Sequence, residues 1–133
     1  MLGIRRIKPA VLVLLAACAN PVSPNPDAGL QDGAHGVSAV PAGRSIRVSN
    51  RSQDPIFYTV LESGLATVAN WTPCTKPDVC AGVQPGQEVA VPHTKIEGYN
   101  AASRGVIMYW WHLRPDPDGR LVAETIHAIP VQL

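Results

Sequence analysis

The 133-residue chain lacks the signatures on which catalytic assignments rest. It has no G-x-S-x-G elbow to expose a nucleophilic serine, no glycine-rich loop to cradle phosphate, and no internal repeat. No His and Cys set has the spacing of a zinc site. The calcium-like fragment Asp116-Pro117-Asp118-Gly119 is not followed by further acidic ligands or a closing glutamate, so it reads as an acidic turn. Excess charge is missing too: 11 Lys and Arg stand against 10 Asp and Glu. Over residues 44–133 the two signs balance at eight each. This leaves no electrostatic reason to bind nucleic acid or an anionic membrane surface. No apolar run reaches the roughly 20 residues that span a bilayer as a helix. No cofactor is expected, and the leading reading is not enzymatic.

What is present begins at the N-terminus. Arg5, Arg6 and Lys8 precede an apolar run, Pro9 to Ala17, which has the order and length of an export signal rather than a membrane anchor. It ends in Leu15-Ala16-Ala17-Cys18, which resembles the lipobox of bacterial lipoproteins. The resemblance covers about 20 residues and implies removal of residues 1–17 and lipidation of Cys18, palmitate included. Small residues at 16 and 17 suit a tight peptidase site, and only a thiol takes the thioether-linked lipid. It also implies a bacterial cell envelope. Ala19, where an aspartate would favour the inner membrane, points to the outer membrane facing the periplasm, with the extracellular face open. In that setting the sequons at Asn50 and Asn70 are chance matches.

With Cys18 assigned to lipid, Cys74 and Cys80 are the remaining cysteines, and an oxidising compartment lets them pair. The loop they close has about seven residues, for which chain entropy gives roughly 2–2.5 kcal/mol. Between lipid and domain, residues 18–43 are rich in Pro, Gly, Ala and Ser and show no period, which predicts a flexible linker. His35 falls within it.

Residues 44–133 are expected to form one small domain. Ser45–Asn50 alternates apolar and polar, Ile56–Glu62 is β-branched and aromatic, and these two pair either as a hairpin or across two sheets. Leu65–Trp71 reads as a strand or short helix, with strand favoured. Pro85-Gly86 fits a type II turn, Glu88–Val91 a strand, and Thr94–Arg104 a loop. Gly105–Leu113 is the most strongly β segment, and Arg120–Leu133 should return antiparallel to it. Six to seven short strands without an amphipathic helix predict an all-β fold, a small antiparallel β-sandwich of Ig-like architecture with one short disulfide loop.

The candidate binding residues are aromatic. Trp110 and Trp111 are adjacent on a strand and therefore point to opposite faces. Pairing of Tyr109 with Ile126 would put Trp111 inside and Trp110 outside, where Trp110 beside Trp71 or Tyr99 could stack on a sugar or anchor a protein partner. His93, His112 and His127 read as edge or loop residues. The expected function is a lipid-anchored envelope domain that binds or scaffolds a protein or carbohydrate. The alternative is an inhibitor of a secreted protease or lysozyme presenting the Cys74–Cys80 or Pro115–Gly119 loop. A small hydrolase is the third reading, favoured only by a cleft that gathers His with Asp or Glu.

Overall fold

The computed structural model describes residues 34–133. The expected signal sequence, Cys18 and the part of the expected linker up to residue 33 lie outside the described residues. Nine strands follow in chain order: β1 (Val37–Ala42), β2 (Ser45–Asn50), β3 (Ile56–Glu62), β4 (Gly82–Val83), β5 (Glu88–Pro92), β6 (Gly105–Trp111), β7 (Leu113–Pro115), β8 (Leu121–Ala123) and β9 (His127–Gln132). A single helical turn, α1 (Ser63–Ala66), follows β3. One sheet has the order β1-β2-β5 and the other β4-β3-β6-β9, with β7 and β8 forming a separate hairpin. The strand pairs are antiparallel. The chain is thus a small all-β sandwich, and β2 and β3 lie in different sheets rather than in one hairpin.

Period-2 alternation builds the core. Ile46 and Val48 on β2, Val37 and Ala39 on β1, and Val91 on β5 pack against Ile56, Val60, Val106, Met108, Trp110, Ile129 and Val131 of the other sheet. Each such aliphatic side chain taken out of water contributes about 1.5–3 kcal/mol before ordering costs. Asn50, fully buried at the end of β2, ties the sheets together. Its Nδ2 donates to the carbonyls of Val83 on β4 and Asp54, both at 2.9 Å, and its Oδ1 accepts from the Ser52 amide and hydroxyl. Every polar atom of this buried amide therefore has a partner. Gly86 has φ +76° and the Gln87 amide donates to the Gln84 carbonyl at 3.0 Å, which makes Pro85-Gly86 the expected type II turn.

The edges are blunted in a consistent way. Arg51 N donates to Gly36 O, His93 N to Arg44 O and Leu133 N to Arg104 O. Counting by twos along each ladder puts Pro41 on β1, Pro92 on β5 and Pro130 on β9 at positions whose nitrogen points off the sheet edge. Proline costs no ladder bond there and denies an incoming strand a donor.

Two expectations fail, and a third, the antiparallel return of the C-terminus to β6, holds only over β9. β1 occupies a stretch expected to be linker: Pro41, Gly43 and the small residues obscured the Val37/Ala39 alternation that is buried against the core. Leu65–Trp71 is not a strand. The Glu62 carboxylate accepts from the Leu65 amide at 3.0 Å and starts α1 instead. The C-terminal return is broken: the Glu124 amide bonds His112 O at 2.9 Å, and β8 and β9 pair with different strands. The two sheets of the sandwich together hold seven strands, within the six to seven expected, and the β7–β8 hairpin adds two more among the described residues.

Candidate functional site: an aromatic platform under the disulfide loop

Trp110 faces the inter-sheet core, so Trp111, next on β6, must face away from it. Register puts Phe57, Thr59 and Leu61 of β3 opposite Trp111, Tyr109 and Ile107 on that same outer face. Left in solvent this would be an exposed apolar sheet. Phe57, Leu61 and Trp111 are nevertheless buried, because the irregular segment 63–81 folds over them. Trp71 lies with its ring centre 4.9 Å from Tyr109 and 5.8 Å from Trp111. Tilted pairs at this separation contribute about 0.5–1.5 kcal/mol beyond their buried area. The Trp111 indole Nε1 donates to the Cys74 carbonyl at 3.0 Å, so the same ring that fills the outer face fastens the loop.

The loop itself is closed by a disulfide between Cys74 and Cys80, with Cα atoms 5.7 Å apart. Inside it the amides of Val79 and Cys80 donate to the Lys76 carbonyl at 3.1 and 2.9 Å. At the other end of the cover, Gly98 at φ +81° lets Leu65 approach. A Cβ there would lie 2.8 Å from Leu65 Cδ2. The cover displays two large apolar side chains outward, Val68 (78% exposed) and Val79 (68% exposed). A rigid loop with apolar tips can contact a protein surface at little ordering cost.

The aromatic residues singled out from sequence do not form one surface. Trp71 is half-buried on the outer face. Trp110, expected outside, is 1% exposed and sits in the inter-sheet core, and Trp111 is equally buried under the cover. The expectation assumed Tyr109 opposite Ile126. Tyr109 stands opposite Ala128, and Ile126 lies outside β9 and is exposed. Tyr99 packs beside the core with its ring 4.8 Å from His93.

Two groupings were not read from the sequence. The rings of His35, His112 and His127 all contact Trp110, with centres 6.2, 5.5 and 4.2 Å away. Burial, then the charges of His35 and His112, hold the His127 imidazole below its ordinary pKa. The opposition of Trp110 and His127 across β6 and β9 was the signal, hidden by the break before β9. A cleft of about 470 Å³ is lined by His112 together with Asp54, Glu124 and Arg114. There the His112 Nδ1 contacts the Pro55 carbonyl at 3.0 Å, which requires Nδ1–H, and Glu124 faces Arg114 at 3.7 Å. This is the gathering of His with carboxylates that the hydrolase reading asks for, although no Ser, Thr or Cys is among the residues lining the cleft. Asp116 takes no such part. Its Oδ1 accepts from the amides of Asp118 and Arg120, both at 2.9 Å, which makes the DPDG fragment a self-satisfied turn. Among the described residues no helix is long and apolar enough to cross a membrane. The chain matches no protein-family model, no curated protein and no solved structure.

Proposed function

We propose that the protein is a lipid-anchored envelope module, held by Cys18 and binding a protein partner through the cover over the outer sheet face. One observation carries the binding half. The loop closed by Cys74 and Cys80 is fixed to the sheet through Trp111 and presents Val79, with Val68 nearby in sequence on the same cover. Loops of this kind gain affinity by losing little entropy on docking. The lipobox resemblance at residues 15–18 supports the anchoring half. Removing the thiol should then release the protein: Cys18→Ala should leave the detergent phase and lose the acyl mass seen in wild type. An unmodified wild type would refute the anchor.

The inhibitor reading has support in the same geometry, because a disulfide-closed loop resembles a substrate segment held in one conformation. Assays of the purified protein against lysozyme and a panel of secreted proteases separate the two. Inhibition abolished by Val79→Asp favours an inhibitor. Binding to a partner without inhibition favours a scaffold.

A further inference from the structure

The cluster around Trp110 has a chemistry that the binding surface does not use. We propose that His35 and His127 form a two-imidazole site for a divalent first-row transition ion of the copper, nickel or zinc class. The site is independent of the platform on the outer face.

The argument starts from distance. A ligating imidazole nitrogen lies about 2.0–2.1 Å from such an ion, which puts the ring centre about 3.2 Å away. Two rings at adjacent coordination positions then have centres about 4.5–5.2 Å apart. The centres of His35 and His127 are 4.8 Å apart, with planes inclined by 51°. Both rings lie beside Trp110. His127 stacks on Trp110 at 4.2 Å and 17°. His35 is exposed at the entry to β1, with its ring centre 6.2 Å from that of Trp110.

Ligand chemistry agrees with the geometry. Imidazole suits copper, nickel and zinc better than calcium or magnesium. A ligating histidine must be neutral. His112 supplies a third imidazole at the same tryptophan, its Nδ1–H engaged by the Pro55 carbonyl. No group of three His, Cys, Asp or Glu among the described residues is arranged to hold a metal ion, so solvent fills the remaining coordination positions.

The test uses the full-length protein in mild detergent with Cu²⁺, Ni²⁺ and Zn²⁺ added separately in a non-coordinating buffer near neutral pH. Calorimetry gives stoichiometry, and tryptophan emission reports Cu²⁺ or Ni²⁺ held beside Trp110. The expected result is saturable binding of one ion per chain with quenching. His35→Asn tolerates the left-handed backbone there (φ 74°), and His127→Phe keeps a ring on Trp110. Each should weaken binding about tenfold or more, the scale on which metal sites respond to altered ligand shells. His93→Ala, whose ring packs on Tyr99 instead, should bind as wild type does. The absence of saturable binding by wild type overturns the proposal. So does unchanged affinity in the two variants, or an equal loss in His93→Ala. If His127→Phe does not fold, His35→Asn decides alone.

Discussion

Replacing Trp111 probes the link between the fold and the platform. The ring is 1% exposed, packs on Trp71 at 5.8 Å and donates to Cys74 O at 3.0 Å. Truncation of a packed tryptophan to alanine costs about 3–5 kcal/mol. The abandoned carbonyl adds about 1 kcal/mol or less, because Cys74 is only partly buried and water can reach it. Trp111→Ala should therefore lose roughly 3–6 kcal/mol, a large share of the 5–15 kcal/mol typical of a folded domain. Trp111→Phe keeps most of the packing and loses the hydrogen bond, for about 1–2 kcal/mol. Trp110→Ala should cost as much as Trp111→Ala, since both rings are buried, one between the sheets and one beneath the cover. Urea unfolding with the disulfide intact measures all three. A loss below about 1 kcal/mol for Trp111→Ala would mean that the cover does not pack on the sheet, and the fixed-platform reasoning would fail.

Other outcomes follow from single contacts. Asn50→Ala strands the buried Val83 carbonyl and the Ser52 amide and should cost about 2–4 kcal/mol, whereas Asn50→Asp should cost more at neutral pH than in acid, because a carboxylate cannot donate to Val83 O. Urea midpoints of both variants at two pH values test this. The His127 pKa is held below its ordinary value by burial and by His35 and His112. The unfolded chain therefore binds a proton that the folded chain resists. Its contribution should be complete above about pH 6.5 and be lost as pH falls through the folded value. Proton NMR of His127 reads the direction. A raised pKa would mean that the face of Trp110 attracts the imidazolium more than its neighbours repel it.

Much of the sandwich was legible because it rests on local rules. The β2 alternation, the β-branched and aromatic run of β3, the Pro85-Gly86 turn and the pairing of Cys74 with Cys80 follow from period, propensity, φ preference and composition. What escaped depends on long-range register or on irregular backbone. β1 hid behind Pro41, whose outward nitrogen is invisible until the edge is known. The order of Trp110 and Trp111 was inverted because residues 124–126 interrupt the return strand, shifting Ile126 out of the ladder. The cover has no period at all. Its only sequence trace was Trp71 beside the cysteines, and nothing local says that Trp71 lies over Tyr109. His35 joined His112 and His127 only because β1 places it there.

The central claim is that the disulfide-pinned cover is the contact surface of a membrane-held module. A photo-reactive side chain at Val79, and a second variant carrying it at Val68, test this in intact producing cells. A third variant carries it at Gln132, an exposed position at the end of β9, as the control. The account predicts covalent capture of the same protein partner from positions 79 and 68, lost when Cys80→Ser opens the loop, and no capture from 132. Capture from 132 alone, or from none of the three, would contradict it.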